Sequence, residues 1–417
     1  MGSYIINGGA ALKGSVTVQG SKNSSVAVLI ASLITDGITI LRDIPDISDV
    51  NDCIAILCSL GCTVEKIDKN VLKINTSGIG DGKIPVELTR KMRASSYLIG
   101  AMLSRFGKCE SIISGGCDFG SRPLDLHILA MEALGAVCLT TESGQTLSAP
   151  HSLRGGEIVF PIKTVGATIN SMIAAAKAAG TTVIKGAARE PHIRDVADYL
   201  NLCGADIRGA GSDTIIVHGV SKLHGCDFTV CPDMIEAGTF ITYSLLTGGD
   251  ITCLNAPVNQ LSSFLNVIDQ MGAKLITKEN SVKVTSSSLS PACVHTAPYP
   301  GFPTDLHPQT AVLMASANGI STICETVFKN RFHYLEPLRA LGLTATESGC
   351  RLTIYGNTSF TGGEVRATDL RGGAALVGAA LCAHGKSVIN DTVYIERGYS
   401  EFVGKLRALG AEIAERE

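Results

Sequence analysis

The sequence predicts an α/β fold made of two similar domains, and the main observation behind this is a sixfold repeat. Six times, a predicted helix ends in an apolar residue, a glycine and a small or apolar residue, and then runs into a predicted strand. The six glycines, about 70 residues apart, are Gly61, Gly135, Gly204, Gly272, Gly342 and Gly410. A glycine just past a helix is the expected C-cap, because that position often needs positive φ. A fixed period of this kind indicates one supersecondary unit repeated along the chain.

A second glycine marker recurs in the same phase and supports the repeat. Six predicted Ala-rich helices end near a glycine that is followed by a strand, namely Gly37, Gly107, Gly180, Gly249, Gly319 and Gly385. Each repeat therefore carries two helices and several strands. Six such repeats divide naturally as three plus three, which gives two domains. Because a cleft between domains is a favoured ligand site, we expect the active site there.

Composition excludes several classes of function. The chain has 417 residues, a net charge of −3 and 14 cysteines. The charge does not favour a nucleic-acid binder, so an anionic ligand must be held by a local cluster of Lys and Arg. The cysteines contain no C-x-x-C pair, and those in apolar stretches (Cys109, Cys138, Cys203, Cys253 and Cys382) indicate reduced thiols rather than disulfides or a zinc site.

Nothing in the sequence predicts a membrane segment. The N-terminus lacks the charged and apolar regions of a signal peptide, and Ile6 argues against myristoylation. No apolar run approaches the roughly 18 residues of a transmembrane helix. We therefore expect a cytoplasmic protein without a membrane or nucleic-acid partner.

The segment QGSKNS, residues 19–24, precedes an apolar helix predicted over 25–34. A glycine turn with a lysine at a helix start suits an anion, through exposed N–H groups and the helix dipole. It is not a Walker A loop, since G-x-x-x-x-G-K is absent. The alternative interpretation is an ordinary helix cap.

The segment SGGCDFGSRP, residues 114–123, places Cys117 in a glycine-rich loop with Arg122 five residues later. Glycines permit close approach of a ligand, and a nearby cation favours the thiolate. This pattern indicates a reactive cysteine. A buried structural cysteine in a turn is the alternative.

The segment PYPGFPTD, residues 298–305, is a stiff Pro-rich loop that ends at Asp305. Such a loop would hold the carboxylate rigidly, as a general base requires. The alternative is an aspartate that caps the following helix.

Four further arginines, Arg93, Arg331, Arg371 and Arg397, are each predicted to follow a strand or to open a helix. Guanidinium groups bind phosphate and carboxylate as planar forks. Taken singly, each is more often part of a structural ion pair.

Together these segments resemble the UDP-N-acetylglucosamine enolpyruvyl transferases over essentially the whole chain. The matching segments are GSKN (20–23), MRAS (92–95), GGC (115–117), RPLDLH (122–127), VGAT (165–168), AREP (188–191), PD (232–233), EAGT (236–239), FPTD (302–305), ETVF (325–328), NRF (330–332), DLR (369–371), RGY (397–399) and LRALGA (406–411). The resemblance implies transfer of the enolpyruvyl group of phosphoenolpyruvate to the 3′-hydroxyl of UDP-N-acetylglucosamine, with release of phosphate. This is the first committed step of peptidoglycan synthesis.

The resemblance also implies a two-domain inside-out α/β barrel, in which each domain has three βαβαββ repeats around a pseudo-threefold axis. The first domain would span residues 22–229 and carry the Cys117 loop. The second would combine residues 1–21 with 230–417 and carry Asp305, Arg331, Arg371 and Arg397.

Site roles follow from the same resemblance. The implied catalytic residues are Cys117, Asp305, Lys22 and Arg397. Phosphoenolpyruvate would bind to Lys22, Asn23, Arg93, Arg122, Arg331, Arg371 and Arg397. UDP-N-acetylglucosamine would bind to Asn23, Arg93, Arg122, Pro123, Leu124, Asp125, Leu126, Thr164, Val165, Gly166, Asp305 and Val327. No metal or organic cofactor is implied, and a monomer or weak homo-oligomer is expected.

Two positions depart from a common form of the family. Ile162 stands where a lysine is often found, with Lys163 one residue later, and His192 stands where some members are acidic. Three rivals remain: enolpyruvylshikimate-phosphate synthase, whose family does not use a cysteine in the loop context of Cys117, an enolpyruvyl transferase of secondary metabolism, and an inactive paralogue that binds a UDP-sugar and regulates by contact.

Overall fold

The computed structural model describes residues 2–80, 82–85, 88, 96–110, 124–141, 144–285 and 288–416. The chain divides into two compact units. We call Gly20–Cys231 the inserted unit, and Met1–Gln19 together with Pro232–Glu417 the split unit. The boundaries expected from the sequence were 21/22 and 229/230.

The described residues of the two units contain thirteen α-helices, six in the inserted unit and seven in the split unit. In the inserted unit they are α1 (Lys22–Ala31), α2 (Ser48–Ser59), α3 (Leu98–Phe106), α4 (Asp125–Ala133), α5 (Val165–Ala175) and α6 (Pro191–Leu202). In the split unit they are α7 (Met234–Leu246), α8 (Ser262–Gln270), α9 (His307–Ser316), α10 (Leu335–Ala340), α11 (Leu370–Cys382), α12 (Val393–Glu396) and α13 (Phe402–Ala408).

Short strands separate the helices. The split unit begins with β1 (Ser3–Asn7) and β2 (Lys13–Thr17). The inserted unit holds β3 (Ile38–Arg42), β4 (Thr63–Asp68), β5 (Val71–Asn75), β6 (Lys108–Cys109), β7 (Val137–Thr141), β8 (Gly144–Ser148), β9 (Glu157–Val159), β10 (Thr181–Lys185), β11 (Asp206–Arg208), β12 (Thr214–His218) and β13 (Asp227–Thr229). The split unit continues with β14 (Asp250–Leu254), β15 (Lys274–Lys278), β16 (Ser281–Thr285), β17 (Cys293–His295), β18 (Ile320–Cys324), β19 (Ala345–Ser348), β20 (Arg351–Tyr355), β21 (Glu364–Arg366), β22 (Lys386–Asn390) and β23 (Glu412–Arg416).

The fifth repeat shows the plan of the repeat in uninterrupted chain order. It runs β17, α9, β18, α10, β19, β20, and its sheet has the order β17-β18-β20-β19. Strand β17 pairs parallel with β18, whereas β18 and β19 both pair antiparallel with β20. The predicted βαβαββ repeat is therefore confirmed.

Strands distant in sequence complete the outermost repeats. Strand β1 lies between β22 and β23, and β2 pairs parallel with β14, so the N-terminal segment belongs to the split unit. Strand β13, at the end of the inserted unit, pairs parallel with β3 at its beginning.

One helix in each repeat is buried on nearly every side. In α11 every residue from Arg371 to Leu381 is buried, and α1, α5, α7 and α9 show the same pattern. A helix that is apolar all round belongs inside a protein, and in the split unit α7, α9 and α11 contact one another. The predicted inside-out arrangement, with helices at the centre and sheets outside, is confirmed. The described strands form separate open sheets of three or four strands rather than one closed barrel.

The glycine markers behave as the repeat predicts. Positive φ is found at all six glycines of the first marker, with values from 88° to 112°. In the second marker the exception is Gly249, because Gly248 adopts the left-handed conformation instead, at φ 66°. Gly249 is required for another reason, since a Cβ there would lie 2.2 Å from the carbonyl oxygen of Leu12.

The described cysteines are all free thiols, as predicted. Cys109, Cys203 and Cys253 are buried, and Cys138 and Cys382 are half-buried. Within the described ranges, no helix combines the length and apolarity needed to cross a membrane. Over the same residues, no group of three or more His, Cys, Asp or Glu side chains is arranged to hold a metal ion.

Candidate active site

The loop before Asp305 is braced by its own backbone. It contains a cis peptide bond between Tyr299 and Pro300, and the Gly301 N–H donates to the Pro298 carbonyl over 2.9 Å. Asp305 lies in a 3₁₀ turn, Thr304–Leu306, that leads directly into α9. The N-cap position of α9 is Leu306, so the alternative that Asp305 caps this helix is wrong.

Two arginines converge on the Asp305 carboxylate. Arg331 donates from Nη2 to Oδ1 over 2.8 Å, and Arg371 approaches Oδ2 with both Nε and Nη2 at 3.2 Å. Both guanidiniums are 5% exposed, whereas Asp305 is 29% exposed. Taken singly, each arginine was also a candidate for a structural ion pair. Arg331 and Arg371 do form ion pairs, and their partner is Asp305, the predicted base. The three side chains together carry one surplus positive charge.

Local structure fixes Arg371 in this position. Arg371 is the second residue of α11, and the Asp369 carboxylate caps that helix by accepting from the N–H groups of Arg371 and Gly372. Burial alone would lower the pKa of Arg371, but Asp305 and Tyr399 act against it and the net pKa is raised. Arg371 is therefore a permanent cation. The capping aspartate could have been identified from the sequence, because Asp before an apolar helix is a strong N-cap signal.

A buried glutamate behind Asp305 was quoted in the ETVF motif, but no role was predicted for it. Glu325 follows β18 and is 3% exposed. Its Oε1 accepts from the N–H groups of Val327 and Phe328, and its Oε2 accepts from the Thr304 hydroxyl over 2.7 Å. Glu325 thus ties the turn that carries Asp305 to the segment that carries Val327.

His307, the first residue of α9, lies inside the split unit two residues after Asp305. It is fully buried, and its Nδ1 lies 3.0 Å from the Tyr334 hydroxyl. Its Nε2 is 3.5 Å from a Glu325 oxygen, a contact too poorly aligned to count as a hydrogen bond. Burial, reinforced by the Arg331 charge, lowers the pKa of His307 well below its usual range. The imidazole is therefore neutral.

In the inserted unit, Lys22 is the first residue of α1 and Asn23 is the second. Ser21 is the N-cap and accepts from the Ser24 N–H, so the cap interpretation of this segment is correct for Ser21. The Lys22 ammonium lies 2.8 Å from the Asp49 carboxylate, which is 6% exposed. No sequence signal pointed to Asp49, because it comes from the first turn of a different helix, α2.

The predicted nucleotide-binding stretches lie at two helix starts in the inserted unit. Leu124, Asp125 and Leu126 open α4, and Thr164, Val165 and Gly166 open α5, where the Thr164 hydroxyl accepts from the Ala167 N–H. A helix N-terminus favours anions such as a diphosphate. The sequence thus placed both stretches where backbone N–H groups are available.

His127 brings these two helix starts together. A Cβ on Gly166 would lie 2.9 Å from His127 Cε1, so only glycine permits this approach. Asn170 Oδ1 accepts from the Gly100 N–H, so its amide nitrogen faces His127 Nδ1 as a donor. Because Nδ1 must accept, the proton is on Nε2. Burial lowers the pKa of His127 to about 4, which keeps it neutral.

The two departures from the family pattern lie on the surface or in a helix. Ile162 is 66% exposed. Lys163 is ion-paired with Asp213, and its hydrogen bond is the main reason that the pKa of Asp213 is lowered. His192 lies in α6.

One expectation about the arginines is wrong. Arg397 neither follows a strand nor opens a helix, but is the C-cap of the short helix α12. It is half-buried and begins the segment 397–400 that leads into α13. The expectation failed because the four-residue α12 lies between β22 and Arg397 and has no periodic signal of its own. Val327, also predicted, is half-buried in the split unit.

Four predicted residues lie outside the described part of the chain: Arg93, Cys117, Arg122 and Pro123. The remaining predicted residues fall into two described groups. The split unit holds Asp305, Arg331, Arg371, Arg397 and Val327. The inserted unit holds Lys22, Asn23, Leu124, Asp125, Leu126, Thr164, Val165 and Gly166.

Residues 6–406 match the family signature described as EPSP synthase (3-phosphoshikimate 1-carboxyvinyltransferase). The chain belongs to the EPSP synthase family of enolpyruvyl transferases. Within this family it is 44% identical over 414 residues to UDP-N-acetylglucosamine 1-carboxyvinyltransferase 3 of Caldanaerobacter subterraneus subsp. tengcongensis, covering 99% of both chains. It is 42% identical to UDP-N-acetylglucosamine 1-carboxyvinyltransferase of Finegoldia magna, covering 96% of both.

Solved structures of enolpyruvyl transferases share the fold. The enolpyruvyl transferase NikO of Streptomyces tendae superposes with a TM-score of 0.89 at 26% identity, over 100% of this chain and 99% of that one. EPSP synthase of Acinetobacter baumannii gives a TM-score of 0.76 at 20% identity over the whole of both chains, which shows the fold alone. The predicted fold class and family are confirmed.

Proposed function

We propose that this enolpyruvyl transferase moves the enolpyruvyl group of phosphoenolpyruvate to the 3′-hydroxyl of UDP-N-acetylglucosamine and releases phosphate, as the first step of peptidoglycan synthesis. The names of relatives 42–44% identical over nearly the whole chain support the pair of substrates. Because this acceptor is a cytoplasmic nucleotide sugar, the proposal places the enzyme in the cytoplasm.

The observation that carries the mechanism is the Asp305 carboxylate between two buried guanidiniums. Asp305 accepts the proton of the sugar 3′-hydroxyl, whose oxygen then attacks carbon 2 of phosphoenolpyruvate while carbon 3 is protonated. The tetrahedral ketal that forms then loses a proton from carbon 3 together with inorganic phosphate from carbon 2, which restores the double bond and gives the enolpyruvyl ether. At 29% exposed, the Asp305 side chain is more accessible to a substrate than those of Arg331 and Arg371, which are each 5% exposed.

The surplus charge of this cluster supports binding of an anion. When the carboxylate of phosphoenolpyruvate reaches Arg331 and Arg371, it replaces Asp305 as a partner of at least one guanidinium. Asp305 then loses part of the stabilisation of its charged form and becomes a better base. In this proposal, acceptance of the hydroxyl proton depends on the presence of phosphoenolpyruvate.

The phosphate end is assigned to lysine and arginine side chains. Lys22, Arg122 and Arg397 neutralise charge on the leaving phosphate, which stabilises the transition state by preorganised electrostatics. Asn23 binds the sugar ring, and Arg93 supports the closed site. Cys117 is the acid that protonates carbon 3, or forms a thioketal with phosphoenolpyruvate.

The nucleotide is assigned to the two helix starts joined by His127. The diphosphate would meet N–H groups near Thr164 and Gly166, and the uridine would lie against residues 122–126. Val327 would contact the same ligand. No step requires a metal or an organic cofactor.

The test is release of inorganic phosphate from purified protein given phosphoenolpyruvate and UDP-N-acetylglucosamine. We expect release only with both substrates, and a sharp fall in Cys117→Ala. Cys58→Ala is the control, because Cys58 is an exposed thiol that has no role in the proposal. Equal release by both cysteine variants would retain the reaction but remove Cys117 from it.

Other acceptors distinguish the rival functions. Release with shikimate 3-phosphate in place of the UDP-sugar would assign the chain to the other branch of its family. Binding of UDP-N-acetylglucosamine without any release would favour a regulatory paralogue.

A further inference from the structure

A buried glutamate outside the proposed site binds the backbone of Gln19, the residue at which the chain leaves the split unit. Glu236, in the first turn of α7, is 1% exposed. Its Oε1 accepts from the Lys405 ammonium over 2.6 Å, and its Oε2 accepts from the Gln19 backbone N–H over 2.6 Å. Each donor therefore binds its own carboxylate oxygen. In this buried environment an unpaired charge would be costly.

Gln19 links Glu236 to the segment 397–400, which begins with Arg397. It is the last residue of the split unit before the crossing, and it is 6% exposed. Its side-chain amide donates to the Gly398 carbonyl over 2.8 Å and accepts from the Ser400 N–H over 2.8 Å. These two hydrogen bonds fix the backbone of Gly398 and Ser400, directly after Arg397.

We propose that Glu236 is a positioning residue of the transferase reaction, which orients Arg397 towards the phosphate of phosphoenolpyruvate through Gln19. The inference rests on the proposed function. Glu236 contacts no substrate in this scheme. It fixes the Gln19 backbone, and the Gln19 side chain fixes the segment 397–400.

Glu236→Gln tests this role directly, because both partners of the carboxylate, Lys405 and the Gln19 N–H, are hydrogen-bond donors. A carboxylate accepts from both, but an amide has one oxygen and its NH₂ group must face the other donor. Glu236→Gln therefore loses one of the two contacts with little change of volume. We expect the KM for phosphoenolpyruvate to rise about tenfold, the factor that corresponds to one charge-assisted hydrogen bond. The KM for UDP-N-acetylglucosamine should stay within about twofold, well under that factor.

The pH profile separates positioning from a general loss of stability. Burial raises the pKa of Glu236 to about 7, although Lys405 and the Gln19 N–H oppose the shift and Asp233 adds to it. Glu236 also acts electrostatically on the buried Cys253 thiol of β14. Protonation below this pH weakens the contact with Lys405, so wild-type kcat/KM for phosphoenolpyruvate should fall there. Glu236→Gln should lack that limb of the profile.

A second variant tests the same path without touching the carboxylate. Gln19→Met keeps the backbone N–H bond to Glu236 but removes both bonds to the segment 397–400. It should raise the KM for phosphoenolpyruvate as Glu236→Gln does, and it should also lose the limb near pH 7, because protonation of Glu236 can no longer act on the segment 397–400. Gln19→Met also tests the positioning role if Glu236→Gln does not fold.

The matched control is Tyr243→Phe on the same helix. Tyr243 is fully buried and donates to the Ala374 carbonyl over 2.7 Å, so Tyr243→Phe removes a buried hydrogen bond that does not involve Gln19 or the segment 397–400. An active wild type with an unchanged KM for phosphoenolpyruvate in Glu236→Gln and Gln19→Met would overturn the positioning role alone. Equal effects of Tyr243→Phe would also overturn it. A wild type without phosphate release would instead overturn the proposed function on which it rests.

Discussion

The two units present their predicted anion-binding cations in different ways. In the split unit one carboxylate, Asp305, is shared by two buried guanidiniums, so the cluster has a surplus positive charge. In the inserted unit the Lys22 ammonium is ion-paired with the Asp49 carboxylate, and both side chains are largely buried. An anion that joins the first cluster can displace Asp305 from an arginine without leaving a buried charge alone. At Lys22 the same anion must share the ammonium with Asp49.

In the Asp305 cluster, a bound anion replaces the carboxylate as a partner of an arginine. At Lys22, a bound anion is added beside the Asp49 carboxylate. The exchangeable carboxylate, Asp305, is the one assigned to proton transfer. The fixed carboxylate, Asp49, is assigned to orientation of a lysine. Of the four predictions below, the first two test this contrast and the last two compare the stability of the units.

Asp305→Asn should produce the largest effect. It keeps the shape but removes the base, so kcat should fall about 100- to 10,000-fold, the usual contribution of general base catalysis. Asp49→Asn is the matched variant and should mainly raise the KM for phosphoenolpyruvate. Phosphate release at saturating substrates distinguishes them. A larger loss of kcat in Asp49→Asn would reverse the comparison.

Arg371→Lys should have the next largest effect. A lysine keeps the charge but loses the guanidinium fork, and a hydrogen bond to a charged group is worth about 1.5–3 kcal/mol. The KM for phosphoenolpyruvate should rise about 10- to 100-fold. Arg331→Lys should cost less, because Arg331 contacts Asp305 through one nitrogen and Arg371 through two. Titration of phosphoenolpyruvate in both variants checks the order.

The buried histidines should make both units less stable in mild acid. The pKa values of His307 and His127 are both lowered from the usual 6.5, mainly by burial. Below pH 6.5 the unfolded chain binds protons that the folded protein does not, so the free energy of unfolding falls as the pH falls. Each histidine should contribute roughly 1.4 kcal/mol per pH unit, down to about pH 4 for His127.

Denaturant titrations between pH 4 and 7 would measure this slope, with His127→Gln and His307→Gln as the two variants. Each replacement should reduce the slope. A slope unchanged by His307→Gln would mean that the histidine is already protonated in the folded state.

Lys163→Ala should have the smallest effect. Its ion pair with Asp213 is exposed, with the two side chains 33% and 52% accessible. Exposed pairs contribute about 0–1 kcal/mol, so the free energy of unfolding should change by less than about 1 kcal/mol. Thermal unfolding checks this. A larger loss would show that Lys163 supports the start of α5, despite its position on the surface.

Much of the fold was predictable because its signals are local. The six glycines at 61, 135, 204, 272, 342 and 410 each end a helix, and a helix end requires a residue that tolerates positive φ. The buried central helices consist mostly of apolar and small residues with few charges, which the sequence displays directly. The α12 helix before Arg397 was missed because four residues carry no periodicity.

The partners of the site residues were not predictable in the same way. The sequence supplied Lys22, Asp305, Arg331 and Arg371, and resemblance to a family supplied their roles. It did not pair Lys22 with Asp49, or indicate that Glu325 and His307 stand behind Asp305. Those contacts join side chains from separate repeats or separate elements of one repeat.

By itself the sequence determined the repeated βαβαββ unit, the helix ends and the family, because each depends on spacing and on residue type at one place in the chain. Only the tertiary structure decided which charges meet. Asp305 is 26 residues from Arg331 and 66 from Arg371, and Gln19 is 217 residues from Glu236. Such pairs are selected by packing of buried helices against one another, since a charge in a low-dielectric interior must find its partner wherever the fold places it.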